Sequence, residues 1–163
     1  MKRFAILFAI MTAGLPHIWA ERVSLSTPNN TLVLEVNKGQ EPQFVYYGNL
    51  LSDADLPALP NPTRANWSHL EVYPAYGATH IQSEAAFALR HADGNLSTQL
   101  VAESWQTTAV ADKAPNGQDR KGALLTISLH DPLYPISVKL HYFAYSDVDM
   151  IECWTEITNG EKK

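Results

Sequence analysis

Apolar side chains recur at every second position along most of this chain, a period that suits strands and not helices. Leu32, Leu34 and Val36 alternate with Thr31, Val33 and Glu35, and Leu125, Ile127 and Leu129 alternate with Thr126 and Ser128. Ile136, Val138, Leu140 and Tyr142 alternate with Ser137, Lys139 and His141, while Ile151, Cys153, Thr155 and Ile157 stand opposite Glu152, Trp154 and Glu156. Each set predicts a strand with one buried and one wetter face. Turn formers separate them at Asn29-Asn30, Lys38-Gly39, Asp93-Gly94, Asn116-Gly117, Asp131-Pro132, Ser146-Asp147 and Asn159-Gly160. The expected fold is all-β, an antiparallel β-sandwich whose two sheets bury the alternating apolar sets. In such strands Cys153 is expected as a small core residue and Trp105 and Trp154 as packing residues.

Two stretches interrupt the alternation. Leu51–Ala65 carries Pro57, Pro60 and Pro62 beside Asp53 and Asp55, too much proline for a paired strand, and is expected to be a long loop. Ala109–Lys121 is polar and contains Pro115, Asn116 and Gly117, so it is expected to be a solvent loop between strands over Thr98–Thr108 and Ala123–His130. With 163 residues, 45% of them hydrophobic, the chain has material for one sizeable core, hence one domain. The formal charge is −5, and no run of Lys or Arg lies beyond the first few residues, which disfavours nucleic acid or an anionic membrane as partner. A single cysteine excludes an internal disulfide and a Cys-based zinc site.

Residues 1–20 differ from all that follows. Lys2 and Arg3 precede the apolar run Phe4–Ala13, then Gly14, Pro16 and a cleavage-like Ile18-Trp19-Ala20. That order is the order of a secretory signal peptide. An apolar run of about ten residues falls short of the roughly 20 a spanning helix requires. The expectation is a leader over 1–20 and an exported β-sandwich domain over 21–163, periplasmic or secreted, with no membrane attachment after cleavage.

The segment Val72–Asn95 is more specific. Pro74 fixes one φ angle, Gly77 is free to take a positive one, and Asp93-Gly94 suits a tight turn, so the segment is expected to be a turn leading into an edge-like strand over Phe87–Arg90. Tyr73, Pro74, Tyr76 and Gly77, then Phe87–Arg90 and Ala92-Asp93-Gly94-Asn95, resemble the Tyr-Pro-x-Tyr-Gly segment of family 36 glycoside hydrolases, the α-galactosidases. The stretch Leu124–Ile157, with Asp131, Tyr142, Tyr145, Asp147, Asn159 and Gly160, is similar to the same family's run of strands and acidic turns. The likeness extends over about Tyr46–Gly160 and covers the family's amino-terminal β-supersandwich, a galactose-mutarotase-like fold.

The resemblance implies an enzyme that hydrolyses terminal α-D-galactosyl residues with retention, using two aspartates in a (β/α)8 barrel beyond this domain. Retention places those carboxyls about 5–5.5 Å apart. The family's Lys-Trp-Asp and Asp-Asp-Gly-Trp motifs are not in these 163 residues, so no catalytic residue is carried over. The implied ligands are α-galactoside oligosaccharides held by the barrel, without cofactor or metal, and the full enzyme is expected to form a homo-oligomer. The final turn, Asn159-Gly160-Glu161-Lys162-Lys163, is expected to break off inside the sandwich and leave an unpaired edge. Where relatives carry Asp-Phe-Arg, this chain has His80-Ile81-Gln82, and their Arg-Ala-Phe-Ser-Pro loop has no clear match in Leu51–Ala65.

Other residues invite chemistry of their own. Asp53 with Asp55, and Asp147 with Asp149, are pairs at i, i+2 in turn contexts, where Asp ordinarily caps backbone instead of transferring protons. His69, His80, His91, His130 and His141 lack metal-ligand spacing and are expected on the surface or in loops. Trp67, Tyr73 and Tyr76 are the candidates for the rim of a sugar pocket, because a pyranose face stacks on such rings; packing in the core or against the barrel is the reading favoured over direct sugar contact. Two functions are therefore carried forward: the exported amino-terminal domain of an α-galactosidase, and a non-catalytic carbohydrate-binding sandwich module.

Overall fold

A computed structural model describes residues 21–60, 72–77, 85–113, 117 and 119–162. The alternating segments form seven strands, β1 (Glu21–Ser26), β2 (Asn30–Val36), β3 (Gln43–Asn49), β4 (Val101–Lys113), β5 (Asp119–His130), β6 (Ile136–Tyr145) and β7 (Ile151–Asn159). They pair as two antiparallel meanders, β1-β2-β3 and β4-β5-β6-β7. The only helical element among the described residues is a single 3-10 turn, Leu56–Ala58.

The two sheets meet through their apolar faces. Leu25, Leu32, Leu34 and Val36 of the smaller sheet pack in one cluster with Ala102, Leu125, Ile127, Leu129, Ile136, Val138, Leu140 and Ala144 of the larger. Trp105 and Tyr142 pack against this cluster, and burial raises the Tyr142 hydroxyl's pKa well above its ordinary value. Main-chain bonds join the layers at one end, where Gly39 donates to Ala102 O and Ala102 donates to Gln40 O, both at 2.8 Å.

The one-face rule fails on β2. Val33 and Thr31 are as buried as their neighbours although they point away from the other sheet. The proline-containing loop lies over that outer face: the Arg22 guanidinium donates to Leu56 O, and Leu51 N donates to Thr31 Oγ1 at 3.0 Å. The expected long loop is present as far as Pro60; residues 61–65 lie outside the described residues.

Strand β7 departs from expectation in the other direction. Cys153 is exposed instead of buried, and Ile157 is 52% exposed, although both lie on the face that Tyr142 and Val138 turn to the core. Three strands cover less area than four, so the smaller sheet does not reach this edge. Trp154 lies on the opposite face, stacked on His141 with ring centroids 4.8 Å apart.

The solvent loop expected over Ala109–Lys121 is instead a long hairpin arm. β4 and β5 remain paired out to Lys113 and Asp119. Charges of opposite sign face each other across the ladder: Arg120 donates through Nε and Nη2 to the two Asp112 carboxylate oxygens at 2.9 and 3.0 Å, and Lys113 Nζ donates to Asp119 at 2.7 Å. Arg120 also lies 4.5 Å over the ring of Phe143, which is fully buried on the outer face beneath it. Polar composition marked this arm as loop; cross-strand charge pairing makes it strand.

Asp149 fastens the β6–β7 turn to the β1–β2 turn. One oxygen accepts from Asn29 N at 2.8 Å and Thr27 Oγ1 at 3.0 Å, and the other from Asn29 Nδ2 at 2.8 Å. Hydrogen bonds from the Asn29 side chain first, then the Asn29 amide, hold its carboxyl below the ordinary 3.8. A carboxyl depressed in the folded state adds stability above its unfolded value and loses it as pH falls through the folded one. Asp149→Asn should therefore unfold at lower urea than the native chain near neutral pH, with the gap closing as pH drops below 3.8. A gap that stays constant down to pH ~2 would show that the carboxylate is not the fastening group.

Candidate functional site

The Tyr-Pro-Ala-Tyr-Gly turn lies at one end of the larger sheet. Tyr76 N donates to Phe87 O at 2.8 Å, Ala86 N donates to Pro74 O at 2.9 Å, and Ala75 and Phe87 form an isolated parallel bridge. The strand expected over Phe87–Arg90 is reduced to that bridge, because Thr98 N bonds Tyr76 O at 3.0 Å and the chain turns back at His91–Asn95. Gly77 has φ +78°, and a Cβ there would lie 2.6 Å from Ser97 Cα, so only glycine fits.

Of the three aromatic residues expected at a pocket rim, Trp67 lies outside the described residues. Tyr73 turns inward, half-buried against the core with its ring 6.3 Å from that of Phe87. Tyr76 turns outward and is 54% exposed. Leu96 and Leu133, on the neighbouring turns, are also exposed. His80, Ile81 and Gln82 lie outside the described residues.

Beneath this surface is a polar cluster that the spacing of residues did not reveal. His91 lies in a loop, as expected, but is buried there, and its ring stacks on Tyr134 with centroids 3.6 Å apart. Tyr134 donates its hydroxyl to Asp93 Oδ2 at 2.9 Å and accepts from Asn95 Nδ2 at 2.9 Å. Hydrogen bonds from the Asn95 amide and then the Tyr134 hydroxyl hold the Asp93 carboxyl below its ordinary value. Asp131, also buried, accepts from the amides of Leu133, Tyr134 and Gln99 and thereby closes the β5–β6 turn onto the start of β4. His141, likewise buried, bonds Thr126 Oγ1 at 3.0 Å.

One aspartate of each pair, Asp55 and Asp149, fastens a turn. Asp55 accepts from Ser52 N and Ser52 Oγ at 2.8 and 2.7 Å, and Asp149 binds the facing turn as described above. Among the described residues no cluster of three or more His, Cys, Asp or Glu side chains could hold a metal ion, and no helix is long and apolar enough to cross a membrane. The site offers an exposed aromatic on a braced turn, a surface that can contact a ligand or a neighbouring domain.

Fold and site together define an all-β domain of two antiparallel sheets with an exposed aromatic turn at one end. The family model for the glycosyl hydrolase family 36 N-terminal domain matches residues 40–163, and the chain belongs to that family. The fold is similar to that of the GH36 α-galactosidase AgaA from Geobacillus stearothermophilus, at 21% identity and TM-score 0.66, over 85% of this chain and 22% of that one. It is also similar to that of the α-galactosidase from Lactobacillus brevis, at 18% identity and TM-score 0.66, over 87% and 22%. This chain thus spans about a fifth of the length of those enzymes. Among curated proteins, none matches.

The contrast between the two tyrosines is measurable. Tyr73→Ala should destabilise the chain by about 1–3 kcal/mol through lost packing, while Tyr76→Ala should stay within about 0.5 kcal/mol, both read from urea midpoints. Equal losses would mean that Tyr76 is also packed.

Proposed function

We propose that this chain is the amino-terminal β-supersandwich of an exported α-galactosidase, with residues 1–20 as its leader and the periplasm or medium as its destination. The whole enzyme hydrolyses terminal α-D-galactosyl residues of oligosaccharides with retention, in a catalytic barrel carried elsewhere in a longer protein. Residues 21–163 support that barrel and the assembly of a homo-oligomer.

The observation that carries this reading is the family match over 40–163; Asp55, Asp131 and Asp149 of this domain fasten turns. Support for the substrate class comes from the relatives: AgaA variants have been crystallised with raffinose and with stachyose. The exposed Tyr76, Leu96 and Leu133 suit a surface that packs against the barrel or lines its rim. Trp67 and Tyr76 are the rim residues of this proposal, and Tyr73 is the packing residue behind them.

The test is hydrolysis of p-nitrophenyl α-galactoside by the chain from Glu21 and, side by side, by the full product of its gene. Activity is expected in the longer product alone. Activity in neither, with galactose binding by the short chain, would establish the carbohydrate-binding module instead. In the active enzyme, Tyr76→Ala should raise KM for a raffinose-type oligosaccharide while leaving kcat nearly unchanged. An unaltered KM would remove Tyr76 from the rim.

A further inference from the structure

Trp154 stands on the outer face of the larger sheet, at its edge. It is paired across the ladder with His141, and the two rings stack with 4.8 Å between centroids and 11° between planes. That separation is the spacing of neighbouring strands, so the stack runs across the sheet from β6 to β7. One face of the indole lies on the imidazole. The other looks out beyond β7, the last strand of the sheet among the described residues, and Trp154 is half-buried. The stack is held from behind: His141 Nδ1 lies 3.0 Å from Thr126 Oγ1 on β5, and its Nε2 lies 3.4 Å from Glu156 Oε1. A ring fixed in this way loses little freedom when something settles on its open face.

Glu152 and Glu156 stand two residues to either side of Trp154 on the same face of β7, each about 6.5 Å away along the strand. Both are exposed, and each has a cation at hand: Arg120 Nη1 lies 3.6 Å from Glu152 Oε2, and Lys139 Nζ lies 3.9 Å from Glu156 Oε2. Tyr145 donates its hydroxyl to Glu152 Oε2 at 3.0 Å. An ionised carboxylate has room for about four hydrogen bonds, so both retain acceptor capacity.

An aromatic face open between two acceptors narrows the chemistry of a ligand. An anion would meet two carboxylates, and a cation would compete with Arg120 and Lys139 for them. A neutral polyol meets neither obstacle. The C–H face of a pyranose lies against the indole, and hydroxyls at the edge of the same ring donate sideways to the carboxylates.

We propose that Trp154, flanked by Glu152 and Glu156, is a binding site for a neutral saccharide on the edge of the larger sheet, in addition to the surface at the Tyr76 turn. One aromatic platform with a few hydrogen bonds corresponds to a dissociation constant of about 1 mM or weaker. The site needs only this domain. Hydrolysis by the full gene product tests the function proposed above and binding by this chain tests the site, so either fails without the other.

The experiment is a titration of the 15N-labelled chain with raffinose, followed through its amide and indole NMR signals and repeated with choline chloride as a cationic probe. Saturable shifts are expected at the Trp154 indole N–H and at the amides of residues 152–156 with raffinose and not with choline. Trp154→Ala should weaken raffinose binding about tenfold or more, as loss of a stacking face requires. Trp154→Leu, which keeps apolar bulk over His141 without a π face, should do the same and replaces it if the alanine variant fails to fold. Raffinose shifts confined to the turn around Tyr76, no saturable shift, or binding that survives in Trp154→Leu would overturn the proposal. Saturation by choline at Trp154 would overturn it in favour of a cation site.

Discussion

The alternating apolar faces of two sheets must be taken out of water together, and every other feature of this domain follows from how well that is done. Covering apolar surface is worth roughly 25 cal/mol per Å2, so the Leu, Ile and Val rows of β2, β5 and β6 dominate the driving force. The force has no direction of its own. Two greasy faces can slide or rotate on each other at little cost unless polar contacts fix their position. Here such contacts sit around the rim of the sandwich: the Gly39–Ala102–Gln40 main-chain link, the Asp149 fastening, the Asp131 turn and the His91–Glu161 pair. The Gly39–Ala102–Gln40 link and the Asp149 fastening fix one sheet against the other, while Asp131 and the His91–Glu161 pair fix turns along the larger sheet.

Unequal areas leave the second mark. A three-stranded sheet over a four-stranded one protects β5 and β6 fully and leaves the inner face of β7 open, with Ile157 and Cys153 in solvent. On the smaller sheet the imbalance is reversed, because the loop after β3 shields Val33 and Thr31 from outside. Burial in this protein is decided by which neighbour lies above a residue, and only secondarily by the strand's own alternation.

That ordering explains what was legible in the sequence. The all-β class, the strands corresponding to β2, β4, β5, β6 and β7 and most inner-face residues follow from period-two alternation, since a strand's two faces are a local property; β1 and β3 were not marked by it. The Tyr-Pro-x-Tyr-Gly turn was legible because Gly77 meets a steric demand that no other residue meets. What was hidden depended on tertiary neighbours. Cys153 and Val33 have the wrong burial for their patterns because one lacks a cover and the other gains one. The hairpin arm from Ala109 to Lys121 looked like loop because its pairing energy lies in charges matched across the ladder, which no period reveals. His91 looked like a surface or loop histidine because its partner Glu161 lies 70 residues away. At the candidate site residue type marked the aromatic turn but not which ring faces out: Tyr76 stands outward and Tyr73 packs inward by the turn's geometry.

Several aspartates show how the turns of this domain are fastened. A general acid or base must exchange a proton readily near the working pH, which calls for a carboxyl whose charged form is not oversatisfied. Asp149, Asp55 and Asp93 each accept two or three hydrogen bonds, and each is held below its ordinary value by those bonds. Asp131 gives both oxygens to backbone amides. The arrangement that makes these aspartates good fasteners makes them poor proton carriers. Freed from proton transfer, they hold turns in place, and the turn bearing Tyr76 is braced by the cluster around Asp93 and His91 directly beneath it. What the bonds around Asp93 and His91 fix is the position of the turn on which the exposed Tyr76 stands.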